Sequence, residues 1–151
     1  MDAGAYTLKV SQIILGQDLT VAAANLHGGE DDTVEIWGGA YLQQKNGPLF
    51  SQIAFGFDQQ YQCSLELWGS KGRLTANRLF TAPPDYPIEL IIESGMEREV
   101  ISVEPANHFK NMLQHFHGLT EDSQGRDLEY VQNNNQARLI REVFAKALDQ
   151  V

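Results

Sequence analysis

Asp2 and Tyr6 are the first residues of the chain whose types and spacing can do chemistry. They lie four positions apart, which puts both on one face of a helix. A phenol near a carboxylate can pass a proton to or from a substrate hydroxyl when its surroundings tune it. The same pair also has a plain structural account, with Asp2 as a helix N-cap and Tyr6 packed in the core with its hydroxyl wet. Spacing alone leaves both accounts open. Farther along, Arg78 carries the planar fork that pairs with a phosphate or carboxylate. Phe80 and Tyr86 lie in a loop with Pro83, Pro84 and Pro87, where their rings can stack on a sugar or base face. The alternative for Arg78 is a charge on a strand surface.

Other residues suggest chemistry that their pattern does not carry. His108, His115 and His117 cluster, but only the first two share a helical face, and neither has a carboxylate or cysteine three or four residues on. Zinc sites need tighter geometry, so a polar helix surface is expected and no metal site. Gly69, Ser70, Lys71 and Gly72 resemble a phosphate loop superficially. They lack its spacing and lead into a strand pattern, which predicts a β-turn. Neither a dinucleotide fingerprint nor a nucleophile elbow occurs. The single cysteine, Cys63, excludes an internal disulfide. Its alternation with Leu65 and Leu67 predicts a buried, inert thiol and fits a reducing cytoplasm.

A chain of 151 residues is long enough for one well-buried core, and a single α+β domain over 1–151 is expected. A composition 42% hydrophobic and 21% charged is globular. Apolar runs such as Ile13–Leu15 are far short of the roughly 20 residues of a membrane span. The net charge of −9 repels a phosphate backbone, and no basic stripe interleaves with aromatics, so neither nucleic acid nor membrane is an expected partner.

The elements that must position these residues follow from periodicity. Tyr6, Val10, Ile13 and Ile14 form an apolar stripe at helical spacing, with Asp2 as N-cap and Gly16 as stop. The chain then changes period. The stretch Leu19 to Leu26 is rich in β-formers and alanine. Val34, Ile36, Gly38, Ala40 and Leu42 alternate with Glu35, Trp37, Gly39 and Tyr41, and Asn46-Gly47 predicts a type I′ hairpin turn. Further runs follow at Leu49–Phe57, Gln62–Trp68, Arg73–Asn77, Ile88–Glu93 and Glu99–Val103. Five to seven strands joined by tight turns predict a mostly antiparallel sheet. Two helices close the chain, one with Phe109, Met112, Leu113 and Phe116 as its stripe, the other with Ala137, Ile140, Phe144 and Ala147. A polar loop at Thr120–Arg126 is expected between them. Helices on one sheet face leave Trp37, Tyr41, Phe50 and Trp68 on the other, a candidate homo-oligomer interface.

The ordered motifs resemble the C-terminal domain of the Gfo/Idh/MocA oxidoreductases over nearly the whole chain. They are the opening Asp2-Ala-Gly-Ala-Tyr6, Gly16, Asn46-Gly47, the run Glu66–Thr75 around its Gly-Ser-Lys-Gly turn, Arg78–Pro84, Asn107–Met112 and Gln136–Ile140. The D-x-G-x-Y opening and the Gly69–Gly72 strand-turn-strand are the most specific. The Phe80–Pro84 loop resembles the branch acting on free or nucleotide-linked sugars. The resemblance implies an NAD- or NADP-dependent oxidoreductase in which this domain supplies the substrate pocket and oligomer interface.

Within that family the acid/base stands at the end of D-x-G-x-[H/Y]. The resemblance therefore assigns proton transfer to Tyr6, with Asp2 orienting or polarising beside it. Most members have histidine here, and tyrosine needs a nearby cation, usually the lysine of an E-K-P motif in the Rossmann domain. That motif and domain are absent from this sequence. The cofactor is expected on the missing domain and not on this chain, so the isolated chain is expected to be inactive and its first helix partly uncovered. The alternative is a non-catalytic dimerisation or sugar-binding module of the same fold.

Overall fold

A computed structural model of the chain describes residues 1–28 and 34–148. The elements run α1 (Asp2–Leu15), β1 (Leu19–Gly28), β2 (Glu35–Gln44), β3 (Phe50–Gly56), β4 (Leu65–Gly69), β5 (Gly72–Ala76), β6 (Ile88–Ser94), β7 (Glu97–Val103), α2 (His108–Glu121) and α3 (Ser123–Leu148). This is the expected α+β class, with seven antiparallel strands in two sheets, ordered β1-β2-β3 and β4-β5-β6-β7. The chain divides into two compact units, Met1–Gln59 with Gln124–Val151, and Gln60–Ser123. No helix among the described residues is long and apolar enough to cross a membrane.

In the first unit the strand period sets the core. Gly38, Ala40 and Leu42 of β2 are buried, while Trp37 and Tyr41 point to the other face. On β1, Leu19 and Val21 face inward, then a bulge between Val21 and Ala23 resets the parity so that Ala24 follows them in. That extra residue explains why this stretch shows no clean alternation. The open face carries two ring stacks, His27 on Trp37 at 5.0 Å and Tyr41 on Phe50 at 5.3 Å. Val34 precedes β2 and is exposed instead of facing the helices.

Helix α1 turns the opposite way from its bulky stripe. Its buried residues are Gly4, Leu8, Ser11 and Gln12, whereas Tyr6, Ile13 and Ile14 are exposed. Close approach decides this. A Cβ at Gly4 would lie 2.7 Å from Cε1 of Phe55, so only glycine lets the helix settle on β3. Ser11 bonds Ser51 of β3 at 2.9 Å. Gly16 ends the helix as expected, with φ +92° and its N–H donating to Gln12. Asp2 is not the N-cap: Met1 holds that position without a side-chain cap bond, and Asp2 lies in the first turn.

Helix α3 likewise buries Leu139 and Val143, leaving Ala137, Ile140, Phe144 and Ala147 half-buried. It also holds the edge of the sheet. Arg138 Nη2 donates to the Leu19 carbonyl at 2.9 Å, and the Glu142 carboxylate accepts from the Val21 N–H at 2.9 Å and the Thr20 hydroxyl at 3.1 Å. Arg138 and Glu142 also pair with each other. Burial pushes the Glu142 carboxyl up, but the Val21 N–H, Arg138 and Thr20 together outweigh it and hold the group below its ordinary value. A carboxyl lower in the folded than in the unfolded state stabilises above its unfolded pKa, and that contribution fades as pH falls through the folded value. Urea unfolding is expected to show a loss of about 1–2 kcal/mol from this group between neutral and acid pH. Glu142→Gln should flatten that part of the pH profile; an unchanged profile would refute the assignment.

Two turns differ from expectation. The β2–β3 hairpin is present, but neither Asn46 nor Gly47 has positive φ, so it is not type I′. The connection runs over five residues, Lys45 to Leu49, closed by the Gln44 N–H donating to Leu49 at 2.9 Å, with Asn46 tied to Asp18. The type with positive φ occurs instead at Gly95-Met96, where Gly95 at φ +61° fits the first central position of a type II′ turn between β6 and β7.

In the second unit, Leu65, Leu67, Leu74, Ala76, Leu90 and Ile92 share one sheet face. Glu66, Trp68, Arg73, Thr75 and Glu93 share the other. The strand expected from Gln62 begins only at Leu65. Trp68, 82% exposed, belongs to this sheet and so does not share a face with Trp37, Tyr41 and Phe50. Asn107 caps α2 by accepting from the Lys110 N–H at 3.0 Å, and the stripe Phe109, Met112, Leu113 and Phe116 is present but exposed. The expected polar loop at Thr120–Arg126 is helical except at Asp122, whose extended φ and ψ of −105° and 96° end α2 directly before α3.

Candidate functional site

The candidate residues fall into two groups. In the first unit, α1 presents Asp2 and Tyr6 one turn apart, both exposed, with Tyr6 at 56%. Both side chains project from the helix side that the sheet does not cover. Asp2 has no hydrogen-bond or ion-pair partner among the described residues, so it and Tyr6 share a face without being joined. The helix that carries this exposed phenol is anchored by its buried Gly4 and Leu8.

The second group lies between β5 and β6. The backbone of Arg78 bridges that of Cys63, and the Leu79 N–H donates to the Cys63 carbonyl at 2.8 Å. The Cys63 thiol then works in both directions, accepting from the Phe80 N–H at 2.9 Å and donating to the Phe80 carbonyl at 3.2 Å. Tyr61 Oη bonds Thr81 Oγ1 at 3.1 Å. Thr81 has φ +51°, unusual for a β-branched residue, and its neighbours hold it there. Cys63 is therefore half-buried and hydrogen-bonded, not fully buried as its alternation predicts.

This scaffold brings Arg78 and Tyr86 together. The guanidinium carbon lies 5.7 Å from the Tyr86 ring centroid and 5.3 Å from that of Tyr61. Arg78 is half-buried at an isolated β-bridge outside the named strands. Phe80 is half-buried, its backbone held by Cys63. Tyr86, placed by its N–H donating to Pro83, also lines a cleft of about 520 Å³ with Ile88, Val103, His108, Asn111 and Met112. The cleft brings in His108 and His115, which the sequence places on a polar helix surface. Among the described residues no group of three or more His, Cys, Asp or Glu could hold a metal ion.

Tyr61 is the member that sequence reasoning misses. It lies outside every alternating run and reaches Arg78 only through the Cys63–Arg78 bridge, a contact between segments fifteen residues apart that leaves no local signal.

No protein-family profile matches the chain. It is 28% identical over 148 residues, 97% of its length, to the dTDP-3,4-didehydro-2,6-dideoxy-alpha-D-glucose 3-reductase of Streptomyces antibioticus, covering 45% of that protein. To the enzyme of the same name from Saccharopolyspora spinosa it is 32% identical over 93 residues, 62% of this chain and 28% of that one. A variant of KijD10, a 3-ketoreductase from Actinomadura kijaniata, solved with TDP-benzene and NADP, superposes with a TM-score of 0.87 at 28% identity, covering 96% of this chain and 46% of that chain. The chain thus spans less than half the length of these relatives. The homologues of the chain are thus KijD10-type dTDP-sugar 3-ketoreductases, which are Gfo/Idh/MocA-like oxidoreductases, and the chain matches about half of their length, consistent with a C-terminal domain.

Proposed function

We propose that this chain is the substrate-binding half of an NAD(P)-dependent oxidoreductase acting on a nucleotide-linked sugar, with Tyr6 as the proton-transfer residue and Asp2 beside it. The observation that carries the reading is the match of 96% of the chain, at a TM-score of 0.87, to a ketoreductase solved with a TDP ligand and NADP. The described residues do not fit a dinucleotide site of their own. Their named strands pair only antiparallel, so the parallel strand-helix-strand cradle for a pyrophosphate is not formed. The nicotinamide, held by a separate domain, supplies the hydride in such an enzyme. This chain holds the sugar nucleotide and moves the hydroxyl proton at Tyr6 Oη.

Replacing the corresponding half of the Actinomadura kijaniata ketoreductase with this chain tests the reading. The chimera is expected to oxidise NADPH with a dTDP-linked 3-ketosugar, while the chain alone turns over nothing. A chimera that folds and binds NADP but leaves the ketosugar untouched would sink it and favour the non-catalytic module. The open face with its two ring stacks supports a homo-oligomer through β1–β3. Light scattering is expected to give a dimer or tetramer, and Tyr41→Glu a monomer; a wild-type monomer at micromolar concentration removes the interface. A cytoplasmic location fits a chain with a single thiol and an NAD(P)-linked reaction.

A further inference from the structure

The tip of the β2–β3 hairpin carries a motif that neither the core nor the candidate site uses. Asn46 is the only asparagine of the sequence that precedes a glycine. Both residues are exposed, in the turn between the end of β2 at Gln44 and the start of β3 at Phe50. Gly47 has no Cβ to shield its amide nitrogen. Its N–H also makes no hydrogen bond among the described residues. The carboxamide carbon of an asparagine and the next residue's nitrogen can close a succinimide ring, and a free, unshielded nitrogen at an exposed loop tip is what that closure needs.

Elsewhere the same closure is blocked. Asn25 lies in β1 opposite Gly39, and Asn111 and Asn135 lie inside α2 and α3. There the hydrogen-bonded regular backbone keeps the next nitrogen from turning onto the carboxamide. Asn46 is restrained instead by a side-chain contact, its Nδ2 donating to Asp18 Oδ2 at 2.8 Å. Asp18 lies between α1 and β1, and its carbonyl accepts from the Lys45 N–H at 3.0 Å, which fixes it beside the turn. The Lys45 ammonium lies 3.7 Å from the other carboxylate oxygen.

We propose that Asn46 is a site of spontaneous modification, a deamidation through a succinimide with Gly47 that the Asp18 carboxylate restrains. The Gly47 nitrogen bonds to Asn46 Cγ, the Cγ–Nδ2 bond breaks, and Nδ2 leaves as ammonia with the proton from Gly47. Water then opens the ring at either carbonyl and leaves aspartate or isoaspartate; nothing is oxidised or reduced. The product reverses the contact. A carboxylate stands where an amide donated, it faces Asp18, and the two like charges share the Lys45 ammonium. The tie between the α1–β1 connection and the hairpin is thereby lost.

The test is peptide mapping by mass spectrometry of the purified chain held in warm neutral buffer, which needs neither cofactor nor turnover. Asn46 is expected to convert to aspartate and isoaspartate, resolved as two peptides with the mass of an acid in place of an amide. Asn25, Asn111 and Asn135 should stay intact. Asp18→Ala should speed the conversion about two- to fivefold. Asn46→Asp, which reproduces one product, should lower the melting temperature by about 1–4 °C. Asp18→Asn added to it should restore the loss, because the new amide donates to the new carboxylate. A folded chain that keeps Asn46 intact over the time in which the urea-unfolded chain loses nearly all of it overturns the site. An Asp18→Ala variant that converts at the wild-type rate or slower overturns the restraint. Melting of Asn46→Asp at the wild-type temperature overturns the loss of the tie.

Discussion

Tyr6→Phe is expected to lower kcat of the enzyme containing this half by about 10²–10⁴-fold, with KM for the sugar nucleotide nearly unchanged. The substitution removes one hydroxyl and keeps the ring. Tyr6 is 56% exposed on the uncovered side of α1, so its loss should cost the fold no more than about 0.5 kcal/mol. That separation is what makes the result informative, because a structural tyrosine would lower stability before it lowered turnover. Steady-state kinetics of the chimera beside a thermal melt give both quantities. A kcat within threefold of the parent would dismiss Tyr6 as the proton-transfer residue. Asp2→Asn should cost less, because Asp2 shares the face of Tyr6 without bonding to it.

The second large effect is structural. Leu139→Ala is expected to destabilise the first unit by about 2–5 kcal/mol. Leu139 is fully buried with Leu8, Leu19, Leu42 and Val143, so truncation leaves a cavity among side chains already fixed on a sheet and two helices. Ile13→Ala is the matched control. Ile13 belongs to the apolar stripe that periodicity alone assigns to the core, yet it is 67% exposed. Its truncation should change stability by about 0.5 kcal/mol or less. Urea unfolding of both variants decides the orientation of α1, and comparable losses would mean that the helix is turned the other way.

These two residues show what the sequence reveals and what it does not. The elements were legible because period 2 and period 3.6 announce themselves locally: the alternation Ile36 to Leu42 predicts β2, and the Phe109–Phe116 spacing predicts α2. The phase of α1 was not legible. Two faces of that helix are apolar, and a count of bulky side chains favours Tyr6, Val10, Ile13 and Ile14. The side that packs is chosen by close approach at Gly4 and by the Ser11–Ser51 hydrogen bond, both of which depend on β3 being in place. The split into two sheets was equally hidden, because hairpins specify neighbours and not the sheet they join. Of the site residues, Asp2 and Tyr6 carry a motif, whereas the company of Arg78 does not: Cys63 meets it through a backbone bridge, and Tyr61 and Tyr86 through their rings, contacts that no spacing encodes.

The grip of α3 on β1 has a consequence for solution behaviour. An edge strand offers unpaired amide and carbonyl groups to any other strand, the usual starting point for fibrils and swapped assemblies. At Leu19 and Val21 these groups are occupied by Arg138 and Glu142, so an incoming strand would have to displace a guanidinium and a carboxylate before forming its first ladder bond. That end of the sheet is closed to templated growth. Acidification that protonates Glu142 weakens only the Val21 side of this closure, because the Arg138 guanidinium still holds the Leu19 carbonyl.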